Sequence, residues 1–139
     1  MSHLTASIEK IESVASLNIV TFLCAEQKLQ MLSLELDSNV QVGSKVKLAC
    51  KPTSVALAKP TMEVESFCAI LSYANQLKVT ISTIDTGKLL SSITLALGSL
   101  TLESVMSTEA VQRLGLKKGD EVIALIKANE LSILEVYDD

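Results

Sequence analysis

The sequence predicts an all-β protein made of two related halves, and three observations carry that expectation. Hydrophobic residues make up 48% of the 139 positions but aromatics only 3%, so the apolar content is mostly Leu, Val, Ile and Ala, which suits small sheets packed with aliphatic side chains. These residues fall in short runs, alternating or continuous, broken by Gly, Asn, Asp and Lys in the manner of strands and turns. Finally, the pattern around Val42-Gly43-Ser44-Lys45-Val46 returns around Lys118-Gly119-Asp120-Glu121-Val122, with Gly43 and Gly119, and then Lys51 and Lys127, each 76 positions apart. A tandem repeat follows.

In chain order, Ala6 to Val14 alternates loosely as a strand, and Leu17 to Ala25 is a clearer one. Gln27-Lys28 is expected to turn into Leu29 to Leu36, whose second half alternates Leu with Ser and Glu as a half-buried strand does. Asp37-Ser38-Asn39 is a loop. Lys45 to Lys51 and Ser54 to Lys59 complete the first repeat, and Pro60 closes it by biasing Lys59 to an extended backbone. The division expected is residues 1–60 for the first module, 61–66 for a polar connection (Thr61 to Ser66), and 67–139 for the second.

In the second module, Cys68 to Leu71 lead into Ser72-Tyr73-Ala74-Asn75, and Gln76 to Ile84 follows as a strand with Leu77, Val79 and Ile81 on one face. Asp85-Thr86-Gly87-Lys88 carries a turn signal, and Leu89 to Leu97 and Leu100 to Met106 are strands either side of Gly98. One short helix is expected at 107–115. Ser107 is its N-cap, Glu109 lies in the first turn, Arg113 in the last, and Gly115 just past the end. The first repeat has only a shorter loop there. Val122 to Ile126 and Leu131 to Leu134 are the closing strands, with a polar corner at Lys127-Ala128 between them.

Repeats of roughly 70 residues sit near the lower limit for an independent core, so intertwining or self-association is expected. No apolar run approaches the roughly 18 residues of a membrane-spanning helix, and the N-terminal residues lack a signal-peptide pattern, so a soluble cytoplasmic chain with no membrane partner is the default. A net charge of −4 and a pI near 5.0 argue against nucleic acid as a partner. Cys24, Cys50 and Cys68 are widely spaced within apolar runs and read as buried free thiols rather than disulfides or metal ligands. His3 is the single histidine, which leaves a Ser-His-Asp, Cys-His or zinc constellation almost nothing to work with. No GxxxxGK[ST] nucleotide loop is present either. No catalytic constellation is in view, and no enzyme is expected.

Gly119-Asp120-Glu121-Val122-Ile123-Ala124-Leu125-Ile126-Lys127-Ala128, with Ser72 to Lys78 opening the same repeat, resembles the Mop or TOBE module of molybdate-binding proteins. That family opens on Ser-Ala-Arg-Asn followed closely by Gly and closes on Ile-Lys-Ala or Ile-Lys-Pro. The resemblance implies small OB-like Greek-key barrel modules, two in tandem, where periodicity alone gives only all-β and fits a single fused sheet equally well. It further implies a homo-oligomer, dimer or trimer, holding molybdate or tungstate between modules of different subunits, with no other cofactor. The residues it implies for the oxyanion are Ser72, Tyr73, Ala74, Asn75, Ser107, Lys127 and Ala128, with Lys51, Pro52 and Thr53 as a second, weaker site. Three positions depart from the family: Ala74 stands at its Arg, Val79 at its Gly, and Tyr73 at a small residue. The first repeat begins level with Ser2-His3-Leu4, so a counterpart of the Ser72 to Asn75 segment is essentially missing there.

The chemistry fits these residue types. A tetrahedral dianion offers acceptors and no donors at neutral pH, so its site needs converging N–H and O–H groups and one or two positive charges. Ser72, Asn75 and Tyr73 supply donors, Lys127 a charge, Ala128 a backbone N–H open to approach, and Ser107 with Thr108 further hydroxyls. The plainer readings stay open: Lys127 as a solvated strand-end lysine, Ser72 to Asn75 as a turn bonding its own backbone, and the chain as a structural dimerisation module without ligand. Also open are a storage or buffering protein, the sensing half of a molybdate-responsive transcription regulator, and a regulatory part of a transporter ATPase.

Overall fold

The computed structural model describes residues 2–137. The first repeat contributes strands β1 (Ser2–Val14), β2 (Leu17–Cys24), β3 (Gln27–Ser33), β4 (Lys45–Cys50) and β5 (Ala56–Ala58), with a 3₁₀ turn at Pro52–Ser54 before the last. Helix α1 (Met62–Cys68) joins it to β6 (Asn75–Thr86), β7 (Leu90–Leu97), β8 (Leu100–Ser107), helix α2 (Thr108–Leu114), β9 (Glu121–Ile126), a 3₁₀ turn at Ala128–Glu130 and β10 (Ser132–Val136). The strands form two five-stranded sheets, ordered β10-β4-β1-β2-β3 and β5-β9-β6-β7-β8. All pairings are antiparallel, as expected of an all-β chain.

Each sheet curls about its long first strand. β1 pairs with β4 through its first half and with β2 through its second, and its register shifts between Ile8 and Lys10. β6 does the same with β9 and β7, shifting between Ile81 and Thr83, 73 positions on. Such a shift bends a strand so that one chain segment can serve two partners. At each bend the isoleucine is bonded into the turn ahead of the next strand. Ile8 N–H donates to Ser44 O and Gly43 N–H to Ile8 O; Ile81 N–H donates to Asp120 O and Gly119 N–H to Ile81 O. Gly43 and Gly119 take φ of +94° and +91°, which an L side chain resists, and this is why the repeat keeps glycine there.

The sheets exchange their last strands. β5 pairs with β9 (Ala56 opposite Leu125, Leu57 opposite Ala124) and β10 with β4 (Ser132 opposite Ala49, Ile133 opposite Leu48). Every residue in the second set is the first displaced by 76, so the exchange is reciprocal. Packing between the sheets follows the same symmetry: β1 lies against β8 and β3 against β6, while the turn at 52–54 touches β8 and that at 128–130 touches β3. Leu4, Phe22, Leu29 and Leu48 from one repeat and Leu77, Ile93, Leu95, Leu102 and Ile126 from the other belong to one core cluster, each 1% exposed or less. The two hairpin tips Ala25 and Gly98, equivalent positions with φ of +48° and +61°, meet so closely that a Cβ on Gly98 would lie 3.1 Å from that of Ala25.

Helix α2 matches its sequence signals: Ser107 Oγ accepts from Ala110 N–H, and Gly115 caps the far end at φ +62°. Elsewhere the structure differs from the sequence reading. The connection at Thr61 to Ser66 is wound into α1, because the Thr61 hydroxyl accepts from Val64 N–H and caps a helix whose Cys68 is buried. β3 stops at Ser33, whose hydroxyl bonds Glu35 N–H and O, ending the ladder before Leu34 to Leu36. The hairpin turn ahead of β3 falls on Ala25-Glu26, both at positive φ, and Gln27 and Lys28 already belong to the strand.

Candidate functional site

An open cleft of about 530 Å³ lies where the end of β8, α2, β5 and the two 3₁₀ turns converge. Its polar lining is Thr53, Ser54, Tyr73, Arg113, Lys127 and Glu130, over an apolar floor that includes Val55, Leu57, Val105 and Leu114. The strand exchange builds it. β5 carries Thr53 and Ser54 across to the second sheet, beside Lys127 at the end of β9.

Lys127 is exposed and extended (φ −71°, ψ 150°), and its C=O accepts from Glu130 N–H to start the turn. Among the described residues its ammonium has no hydrogen-bond or ion-pair partner. Lys51 holds the equivalent place in the first repeat, with Ser54 N–H donating to its C=O at 2.9 Å. Ser54 Oγ donates to Glu130 Oε2 at 2.9 Å across the cleft, a contact between equivalent positions of the two repeats. The lining thus sets two cations against one carboxylate that already has a donor.

Of the residues singled out in the sequence, the cleft gathers Tyr73, Lys127 and Thr53, the last drawn from the weaker set. Ser72, Ala74, Asn75, Ser107, Ala128, Lys51 and Pro52 are not in its lining. Asn75 departs furthest from the expected arrangement. Fully buried, its carboxamide accepts from Gln30 N–H at 2.6 Å and donates to Gln30 O at 3.0 Å, bridging β6 to β3. Ser107 Oγ is occupied as the α2 cap, and Thr108 is buried with its hydroxyl donating to Gly87 O. Ser72 and Ala74 are exposed; Gln76 Nε2 ties this segment back by donating to Tyr73 O and to Cys68 O. Tyr73 is half-buried against the small cluster of Cys68, Ile123 and Leu125.

Arg113, Glu130 and Ser54 in this cleft were not among the sequence-derived candidates. Ser54 and Glu130 share the 76-residue offset, a signal that pairs them as equivalents without showing that they touch. Arg113 sits in the last turn of α2, where its charge suits the helix dipole, and that local role hides a position facing the cleft.

A second cleft, of about 480 Å³, occupies the equivalent place in the first sheet, lined by Met31 to Asp37, Val40 and Leu131 to Ile133. Its charged lining residues are Glu35 and Asp37, with no basic side chain among the described residues. The two clefts differ in charge, Arg113 and Lys127 against Glu130 in the one and Glu35 with Asp37 in the other. Among the described residues no group of His, Cys, Asp and Glu is placed to hold a metal ion, and no helix is long and apolar enough to cross a membrane.

Comparison with known proteins now bears on this arrangement. The TOBE domain model matches residues 71–133. The fold is similar to that of the cytoplasmic molybdate-binding protein ModG with molybdate bound, at 29% sequence identity over 94% of this chain and 93% of that one, with a TM-score of 0.83. A molybdate-binding protein from Sporomusa ovata is 31% identical over 47% of this chain and 97% of its own, with a TM-score of 0.45. No curated protein sequence matches the chain. The chain thus carries a TOBE domain in its second repeat, within a ModG-like fold that spans both repeats.

Proposed function

We propose that this chain binds molybdate or tungstate in the cleft beside Lys127, as a storage, buffering or sensing protein and not as an enzyme. The observation that carries the reading is a lysine without an ion-pair or hydrogen-bond partner among the described residues, lining one open cleft together with Thr53 and Tyr73, in a fold that matches a molybdate-bound relative along nearly its whole length. Such a set gives a tetraoxoanion donors and charge without offering it acceptors beyond Glu130. The open side of the cleft is where a second copy of the chain would complete the site, which makes self-association into a dimer or trimer part of the proposal. Ser72, Ala74 and Ala128, next in sequence to Tyr73 and Lys127, would then line the closed site. The modules are taken as residues 1–60 and 67–139 joined through 61–66, and the setting as the cytoplasm, in line with the description of ModG.

Titration calorimetry of the chain with molybdate, tungstate, sulfate and phosphate tests this. Tight binding of molybdate or tungstate, weaker sulfate and phosphate, and a loss of roughly tenfold or more in Lys127→Ala are expected, since one hydrogen bond to a charged group is worth about 1.5–3 kcal/mol. The competing reading, a structural module without ligand, draws support from Asn75, whose side chain is spent on holding β3. Silence from all four anions would establish it.

A further inference from the structure

Helix α2 has no equivalent in the first repeat, and it is the element that brings Arg113 to the wall of the cleft shared with Lys127. We propose that Arg113 is the second cationic ligand of the oxyanion, supplying the guanidinium that Ala74 does not; this rests on the cleft being the anion site. Both Arg113 contacts to Glu109 are made through Nε, at 3.2 and 3.5 Å, which leaves the terminal amino groups of the guanidinium outside that pair. Those groups form a planar fork matched to two oxygens of a tetrahedral anion. The pair with Glu109 does not hold them back. Its side chains are 65% and 70% exposed, and an exposed i,i+4 pair is a weak interaction beside a bidentate contact to a dianion.

The helix is a firm base for such a ligand. Ser107 caps it, Thr108 anchors its first turn by donating to Gly87 O and sharing a 2.8 Å bond with Ser91 Oγ, Val111 is buried, and Gly115 closes it. The charge of the two clefts points the same way. Where α2 is present the cleft holds Arg113 and Lys127; where a loop replaces it the cleft holds Glu35 and Asp37. Two carboxylates and no cation repel a dianion, so of this pair of clefts only the one beneath α2 takes a ligand.

The test is molybdate titration of the intact chain and of Arg113→Ala, Arg113→Lys and Glu109→Gln, with the melting temperature of each variant recorded. A loss of tenfold or more in Arg113→Ala at unchanged melting temperature, partial recovery in Arg113→Lys, and binding at least as tight as wild type in Glu109→Gln are expected. Wild-type affinity in Arg113→Ala beside a defective Lys127→Ala overturns this inference and leaves the cleft as the anion site. Equal losses in Glu109→Gln and Arg113→Ala also overturn it, because the integrity of the helix and not the guanidinium would then set the affinity. A wild-type chain that binds no molybdate removes both readings together.

Discussion

At β6 and β3 two side-chain amides replace a backbone ladder. Asn75 bonds the N–H and C=O of Gln30, and Gln27 in return donates to Lys78 O and accepts from Lys78 N–H, both at 2.8 Å. The buried member of this seam is the critical one, since Asn75→Ala strands a donor and an acceptor at the half-buried Gln30 on β3. A loss of about 2–4 kcal/mol is expected from leaving those two groups unpaired, measured as the shift in urea unfolding, while Gln27→Ala at the more exposed end costs less. Sequence reasoning found Asn75 by its place in a motif but gave its amide to a ligand. Nothing local to Ser72-Tyr73-Ala74-Asn75 reveals which way a carboxamide points, because its partner lies 45 positions earlier on another sheet. The place of Lys127 was legible because it follows a strand end that the repeat fixes through Lys51, and Tyr73 was reached only through the family resemblance, whereas Arg113 looked like an ordinary last-turn helix residue.

At the scale of elements the exchange of β5 and β10 decides how each sheet ends. Removing β10, by ending the chain after Leu131, bares the edge of β4 in the first sheet although the cut lies in the second repeat. Hydrogen exchange should therefore speed up along β4 and the first half of β1, with β9 and β6 retaining more protection; loss centred on β9 instead would contradict the pairing. Apolar alternation located both exchanged strands in the sequence, but a period of two says nothing of which sheet a strand joins. The 76-residue register does show that whatever one does the other must do. Helix α1 also left a trace that the polar reading of 61–66 passed over: Val64, Phe67 and Cys68 have the i, i+3, i+4 spacing of a helix face behind a Thr61 cap.

For the molecule as a whole, one core shared by both sheets means that burial in either half is tied to the stability of the entire chain. Two of its members report on this through pH. Burial pushes the Cys24 and Cys50 thiols up to about 11 from an ordinary 9.0, Glu130 adding to the effect at Cys50. The folded chain then keeps protons that the unfolded chain releases, so their contribution is fully present below pH 9 and is lost as pH rises from 9 to 11. Urea midpoints measured under reducing conditions should fall across that window, and less so in Cys50→Ala; a midpoint that is flat there would show that these thiols do not stay protonated in the fold. The contact of Ala25 with Gly98 carries a different kind of consequence. In a dimer of identical modules the two tips meeting on the symmetry axis would have to be the same residue, and two methyl groups at 3.1 Å are nearer than carbon atoms comfortably approach. A single chain that holds both copies removes that obligation: the positions can diverge, one retaining a side chain because the other has given its own up, so that symmetry in the backbone coexists with inheritance that is no longer symmetric.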